Sequence, residues 1–461
     1  MQRVWKLVLE AVRGSTRDLT EGRVGQAILL LAVPMVIEMG MESLFAVVDV
    51  FFVSQLGADA VATVGLTESL LTIVYTVAMG LGIGATAVVA RRIGEKDEDG
   101  AAVAAVQALV LGLSVATAIG VAGALFARPL LNVMGATPSM LDSSLGYAVV
   151  MLGGNVTVTM LFLTNAVFRG AGDAATAMRM LVVANGINLV LDPCLIFGLG
   201  PFPRLGVTGA AVATNIGRGT AVLVQLWILL GGHSRIRAGL RHLRVVPHVM
   251  WTVCRLSGVG FLQVLIDTSS WIGLVRIVSM FGSDALAGYT IGIRILLFAI
   301  LPAWGLSNAA ATMVGQSLGA GKPDRAEESV WTAGRYNAGF LGSLGIVFLL
   351  WAPPIVGWFT RDVVVAGHAV DCLRITSLGF LLFAYGLVLT QAFNGAGDTW
   401  TPTWINFACF WVWQLPLAWW LALYLEWGPR GVYVAMTVAF STLAVVSAII
   451  FRRGSWKAKT V

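Results

Sequence analysis

The sequence predicts an all-α polytopic membrane protein, with twelve transmembrane helices in two parallel six-helix repeats. Of 461 residues, 57% are hydrophobic and 12% charged, with a mean hydropathy of +0.84. Soluble domains hold roughly 45–50% apolar residues, so a soluble globular protein is excluded. A bilayer crossing takes about 20 mostly apolar residues, and runs of that length recur twelve times between Gly, Pro and charge breaks. A shift of 225 residues lays the second half of the chain on the first.

In chain order, residues 1–25 carry Arg3, Lys6, Arg13, Arg17 and Arg23 without an apolar stretch ending in a cleavage site. No removable signal peptide is expected, and the first span itself serves as the insertion signal. Spans are expected near 26–54, 60–90, 101–126, 143–168, 175–199 and 207–231, an N-lobe of 26–231. Pro34 in the first span removes a backbone hydrogen bond and invites a bend. The run GLGIGA at 80–85 ends an apolar helix with no strand before it, so it reads as close helix packing rather than a phosphate loop. Asn155-Val156-Thr157 falls inside the fourth span and is expected to carry no sugar.

Residues 232–248 then divide the chain. HSRIRAGLRHLRVVPH holds four Arg, three of the four His and no acid, which reads as a linker lying on anionic lipid. The C-lobe of 249–451 repeats the pattern with spans near 249–280, 285–311, 329–351, 366–393, 401–426 and 430–451, before a tail of 452–461. The eleventh span and its ends carry seven Trp between Trp400 and Trp427, an aromatic belt at the membrane surfaces. Cys194, Cys254, Cys372 and Cys409 stand far apart without CxxC spacing, so four free, buried thiols are expected.

The repeat is read directly. Gly57 meets Gly282 and Asp59 meets Asp284, and an identical GAGD-x-x-T recurs at 170–176 and 395–401. An even number of helices returns the second copy in the same orientation. Glycines in these loops permit tight turns, and Asp173 and Asp398 are placed to cap the next helix. Of the thirty Lys and Arg, twenty-two fall in alternate connecting segments that include both termini, and five in the others. The positive-inside rule therefore sets both termini in the cytoplasm of a multi-pass protein of the cell membrane. The formal charge of +6 sits at membrane edges, so no nucleic-acid partner is expected.

Six acids fall within spans: Glu38, Glu42 and Asp49 in the first, Glu68 in the second, Asp192 in the fifth and Asp267 in the seventh. A charge facing lipid costs roughly 2.5–3.5 kcal/mol on insertion scales, so each must face water, pair, or carry a proton. Glu38, Glu42 and Asp49 share one helix face. Crowded carboxylates resist simultaneous ionisation, which is the chemistry of a proton relay. The same oxygens, with Asn188, Asn165 and Thr214 as neutral ligands, suit a bare Na+. The bland alternative pairs these acids with Arg218, Arg276 or Arg294 as helix locks.

The stretches LAVPMVIEMGMESLFAVVDVFFVSQLG at 31–57, VARRIGEKDEDGA at 89–101, FRGAGD at 168–173, INLVLDPCLIFGLG at 187–200 and GVTGAAVAT at 206–214 resemble the multidrug and toxic compound extrusion (MATE) transporters. That resemblance implies two lobes around a V-shaped central cavity, exporting drugs against protons or Na+, as a monomer. It is nearest the archaeal and DNA-damage-inducible F-like branch. There Asp49, Asn188, Asp192 and Thr214 match the N-lobe cation site, with Asn165 beside it. Glu42 matches a polar, drug-facing position, so cationic substrates are favoured, with Glu38, Glu68 and Asp267 as further cavity acids. The NorM-like branch relies on C-lobe acids; Asp267 matches one, but the other aligns near Phe383, which cannot ionise.

The expected function is thus a secondary antiporter for amphipathic, cationic molecules, with a proton or Na+ as coupling ion and no cofactor. The alternative within the same superfamily is a flippase for lipid-linked saccharides, which calls for a strongly cationic cavity. A membrane enzyme would need loop acids for Mg2+ or a metal-spaced His cluster, and neither occurs.

Overall fold

The computed structural model describes residues 2–15, 17–232 and 234–460. Every regular element among them is helical. A short helix, Gln2–Arg13 (α1), precedes Val24–Ser54 (α2), Ala58–Gly94 (α3), Glu98–Leu125 (α4), Ala127–Val133 (α5), Pro138–Gly153 (α6), Asn155–Gly170 (α7), Ala174–Phe197 (α8) and Val207–Leu230 (α9). The second half runs through Pro247–Ser279 (α10), Ser283–Gly319 (α11), Pro323–Gly357 (α12), Val363–Ser377 (α13) and Phe380–Gly395 (α14). Trp400–Asn406 (α15) and Leu415–Trp419 (α16) alternate with π-helical turns over Phe407–Gln414 and Trp420–Tyr424, and Pro429–Arg452 (α17) closes the series.

Eleven of the described helices or helix runs are long and apolar enough to cross a membrane. The twelfth span is the bent pair α13 and α14, which meet at 63° where a single straight span at 366–393 was expected. The chain is a multi-pass membrane protein. Several helices outrun their apolar cores: α11 extends to Gly319 and α12 starts at Pro323, against expected limits of 311 and 329. An apolar run marks the stretch in lipid, whereas a helix continues until a cap or Gly stops it. α1 was not foreseen; its twelve residues, QRVWKLVLEAVR, are too few to register as a span.

The chain forms two compact units. One comprises Met1–Leu9, Thr16–Val36 and Leu262–Val461, and the other Glu10–Ser15 and Ile37–Phe261. The division therefore falls inside α2 and α10 rather than at the basic linker where the sequence placed it. The two switch points are 225 residues apart, which is the repeat offset. In the first unit Gly305 of α11 lies so close to α2 that a Cβ there would sit 2.6 Å from the Met35 carbonyl oxygen. In the second unit its repeat mate Gly80 of α3 would set a Cβ 2.5 Å from the backbone nitrogen of Phe261. Gly84 packs likewise on Ser257, so the GLGIGA run is a helix-packing surface.

The GAGD turns repeat too. Gly172 and Gly397 hold φ of 85° and 83°, a region that favours glycine. Asp173 caps α8 by accepting from the Thr176 amide at 3.2 Å, and Asp398 Oδ2 accepts from Thr401 Oγ1 at 2.8 Å. The basic linker is tied to α4 of its own unit: Arg241 and His242 meet Asp99 at 2.6 and 3.0 Å, and Gln107 donates to the Arg244 carbonyl. Of the four free thiols, Cys372 and Cys409 are buried, Cys194 is half-buried, and Cys254 is exposed, contrary to the expected burial of all four. Trp400, Trp404, Trp411, Trp413, Trp419, Trp420 and Trp427 are all exposed.

Replacing Gly305 by Val drives a side chain into the α2 backbone, and overpacking of this kind costs about 1–3 kcal/mol. The purified variant is expected to melt several degrees below wild type by tryptophan fluorescence in detergent, while Gly367→Ala, with open space at its Cβ, shows no loss.

Candidate functional site

The second unit gathers the acids of α2 into three buried settings. The first centres on Glu38, 1% exposed. Arg169 Nη1 donates to Glu38 Oε1 at 2.6 Å, and Asn165 Nδ2 donates to the same oxygen at 2.9 Å. Gln225 Nε2 donates to Asn165 Oδ1 at 2.6 Å, and Thr164 Oγ1 donates to Gln225 Oε1 at 2.5 Å. One continuous polar chain thus ties α2, α7 and α9. Asn165 and Arg169 reach one acid because residues four apart share a helix face.

The second setting lies one turn along α2. Arg218 of α9 meets Glu42 at 3.1 Å and the Tyr75 hydroxyl of α3 at 3.4 Å, and its guanidinium lies over the Phe45 ring at 4.9 Å. Tyr75 in turn packs edge-on against Phe162, with ring centroids 5.7 Å apart. Glu68 makes no ion pair among the described residues, but the charges of Arg218, Glu42 and Asp49 all act on it.

The third setting holds Asp49, Asn188, Asp192 and Thr214. Its geometry follows from small residues on α9. Gly209 and Gly217 let the backbones of α8 and α9 touch, with a Cβ on Gly217 falling 2.6 Å from the Ala184 carbonyl oxygen. That approach lets Asn188 Nδ2 donate both to Asp192 Oδ1 and to Thr214 Oγ1, each at 3.2 Å. Asp192 is fully buried, Asn188 and Thr214 nearly so, and Asp49 is 8% exposed, with its charge acting on Asp192. Three oxygens here have no hydrogen-bond partner: Asp49 Oδ1, Asn188 Oδ1 and Asp192 Oδ2. Among the described residues no donor meets these three atoms, nor Glu38 Oε2 in the first setting, and buried polar atoms are nearly always satisfied. All four residues offer oxygen, the donor that hard cations prefer.

In the first unit Asp267 accepts both bonds from Asn406 Nδ2, at 2.9 and 3.1 Å. Among the described residues it pairs with no arginine, and Arg276 and Arg294 are exposed. Phe383, at the position of the missing C-lobe acid, stacks on Phe440 at 4.0 Å.

Hydrogen bonds join Asn188 to Asp192 and to Thr214, Asp49 acts on Asp192 through its charge, and Asn165 bonds Glu38 instead. Glu38 and Glu42 are paired with arginines, so among the described residues two acids of the α2 stripe form ion pairs and Asp49 forms none. Arg169 and Gln225 were missed: Arg169 reads in sequence as part of a cytoplasmic loop, and its four-residue spacing from Asn165 was the available signal. Asn406 sits in a run of aromatic residues and carried no signal.

The MatE family matches residues 34–194 and 261–420, one block in each half. The chain belongs to this family of MATE transporters. A probable multidrug resistance protein NorM of Thermotoga maritima is 26% identical over 439 residues, covering 94% of this chain and 93% of that protein. An FAD transporter of Shewanella oneidensis is 25% identical over 415 residues, covering 90% and 91%. A solved outward-facing multidrug resistance MATE transporter of the MOP superfamily superposes with a TM-score of 0.88 at 27% identity, covering 96% and 98%.

Removing one partner of a buried ion pair costs about 3–5 kcal/mol, because the other charge is left without a counter-ion. Arg169→Met is expected to lower the melting temperature of the purified protein markedly, and the double change Glu38→Met with Arg169→Met to recover most of the loss. A single variant that melts with wild type contradicts the pairing.

Proposed function

We propose that this MATE transporter is a secondary antiporter that exports amphipathic cationic molecules in exchange for a proton or Na+. The coupling ion binds at Asp49, Asn188, Asp192 and Thr214, and needs no organic cofactor. The observation that carries the reading is the set of three partnerless oxygens among two acids and an amide. An ion that enters there completes their bonding, and a substrate cation drawn to the neighbouring acids competes with it. Pro34, which deprives Leu30 of its usual helical donor, lies two residues before α2 passes between units and is the bend point of the cycle. Alternating access of the two six-helix halves then carries the substrate.

The related proteins are named for different cargo, multidrug resistance in one and FAD in another, so substrate class is read from this chain's own site. Glu38, Glu42, Asp49, Glu68 and Asp192 outnumber Arg169 and Arg218, the arginines that pair with acids of α2, which favours cations over the pyrophosphate of a lipid-linked saccharide. The distribution of Lys and Arg supports both termini in the cytoplasm of the cell membrane.

The test is efflux of ethidium from liposomes holding the purified protein, under an imposed proton gradient alone and a Na+ gradient alone. Asp49→Asn and Asp192→Asn are expected to lose gradient-driven efflux by about a hundredfold while folding normally, since each removes a charge that binds the ion. Thr214→Val separates the ions: a coordinated Na+ loses a ligand, whereas a proton on a carboxylate does not. Wild-type efflux by both Asn variants would overturn the assignment.

A further inference from the structure

The linker between α9 and α10 is fastened to α4 through a histidine whose protons the geometry places. In the 3-10 turn Leu240–Leu243, the His242 amide donates to the Gly239 carbonyl at 2.9 Å, and the Gly239 amide donates back to His242 Nδ1 at 2.8 Å. A ring nitrogen that accepts from an amide carries no proton of its own. A neutral imidazole then bears its one N–H on the other nitrogen, and His242 Nε2 faces Asp99 Oδ1 of α4 at 3.0 Å. An ionised carboxylate can only accept, so the ring is the neutral Nε2–H form. Arg241 Nε, 3.1 Å from the same Nε2, finds no lone pair there, and its Nη2 bonds Asp99 Oδ1 at 2.6 Å. Two turns further along α4, Gln107 donates to the Arg244 carbonyl at 3.0 Å and accepts from the Val246 amide at 3.3 Å. α10 starts at the next residue, Pro247.

His242 is buried, while Asp99 and Arg241 are exposed. A second proton on the ring can go only to Nδ1, where it meets the Gly239 N–H head on. The imidazolium keeps its Nε2–H toward Asp99 and gives up the bond that closes the turn. Among the described residues the charged groups that meet the ring are Asp99 from α4 and Arg241 beside it in the linker. Asp99 already holds Arg241 on the same oxygen, and both face solvent, so the pair offers little uncompensated charge to keep an imidazolium in place. The fastened linker therefore binds one proton fewer than the released linker, and its stability falls as pH falls. Histidine changes charge between about pH 5 and 8. We infer that His242 is a pH-sensitive clasp: with a neutral ring it pins residues 239–246 to α4, and acid on the linker side of the membrane releases them. The switch lies outside the spans and uses none of the carboxylates assigned to the coupling ion.

The test uses the purified full-length protein in detergent, without substrate or gradient, so it stands apart from the antiport reading. The chain has four His, and NMR of isotope-labelled histidine nitrogens separates their tautomers; the His242 signal is the one missing from His242→Gln. At about pH 8, above most of the histidine range, that signal should report a proton on Nε2 alone. Hydrogen–deuterium exchange of the 239–246 segment, corrected for the intrinsic effect of pH on exchange, should lose about tenfold in protection as the His242 signal titrates, the worth of one buried hydrogen bond. His242→Gln keeps an acceptor for Gly239 and a donor for Asp99 but cannot titrate, so its protection should stay level across the same range. If that variant is already released at the alkaline end, the coincidence of the two wild-type midpoints carries the test. A proton on Nδ1 at the alkaline end, wild-type protection that holds through the titration, or a His242→Gln segment that loses protection over the same range overturns the proposal.

Discussion

A carboxylate inside a membrane must be paired, protonated or coordinated, because lipid offers no water to hold its charge. Helix α2 carries three such groups along one face, and much of the second unit is arranged around that demand. Arg169 and Asn165 answer Glu38, Arg218 answers Glu42, and Asp49 is left without a donor on Oδ1. The same shortage recurs on Asp192 and Asn188, which the small residues of α9 hold against Thr214. The acids paired with arginine tie helices together.

A second constraint is the close approach of helices at glycine. Gly80 and Gly305 occupy equivalent places in the repeat, and each seats the first part of a long helix, α10 or α2, against a backbone. Both long helices change unit one residue after or at that seat, at positions again 225 apart. Pro34 gives α2 a weak point there that α10, with Val259 in the equivalent place, does not share.

The fold was largely legible in the sequence, because apolar runs report directly on bilayer crossing and the GAGD repeat reports on topology. The bend of the tenth span was not, since Arg374, Thr376, Ser377 and Gly379 interrupt the apolar run too briefly to mark a break between two helices. The boundary between units was misplaced for a related reason: composition marks the basic linker, whereas packing depends on which glycine a helix rests against. At the site, Asp49, Asn188, Asp192 and Thr214 were named through family resemblance, and hydrogen bonds join the last three. The partners of Glu38 were not, because Arg169 belongs by charge to the membrane edge and joins the acid through tertiary packing of α7 on α2. Arg218 was noticed as a counter-charge, and its choice of Glu42 over Glu68 or Asp267 depends on the rotation of α9, which sequence spacing does not report.

The central claim is that the partnerless oxygens of Asp49, Asn188 and Asp192 hold the coupling ion and surrender it when substrate arrives. The most direct measurement is the number of protons and Na+ ions released when ethidium is added to the purified wild-type protein in weakly buffered detergent. The account predicts release of one of these ions from wild type, and none from the double variant Asp49→Asn with Asp192→Asn. Undiminished release from the double variant would contradict it.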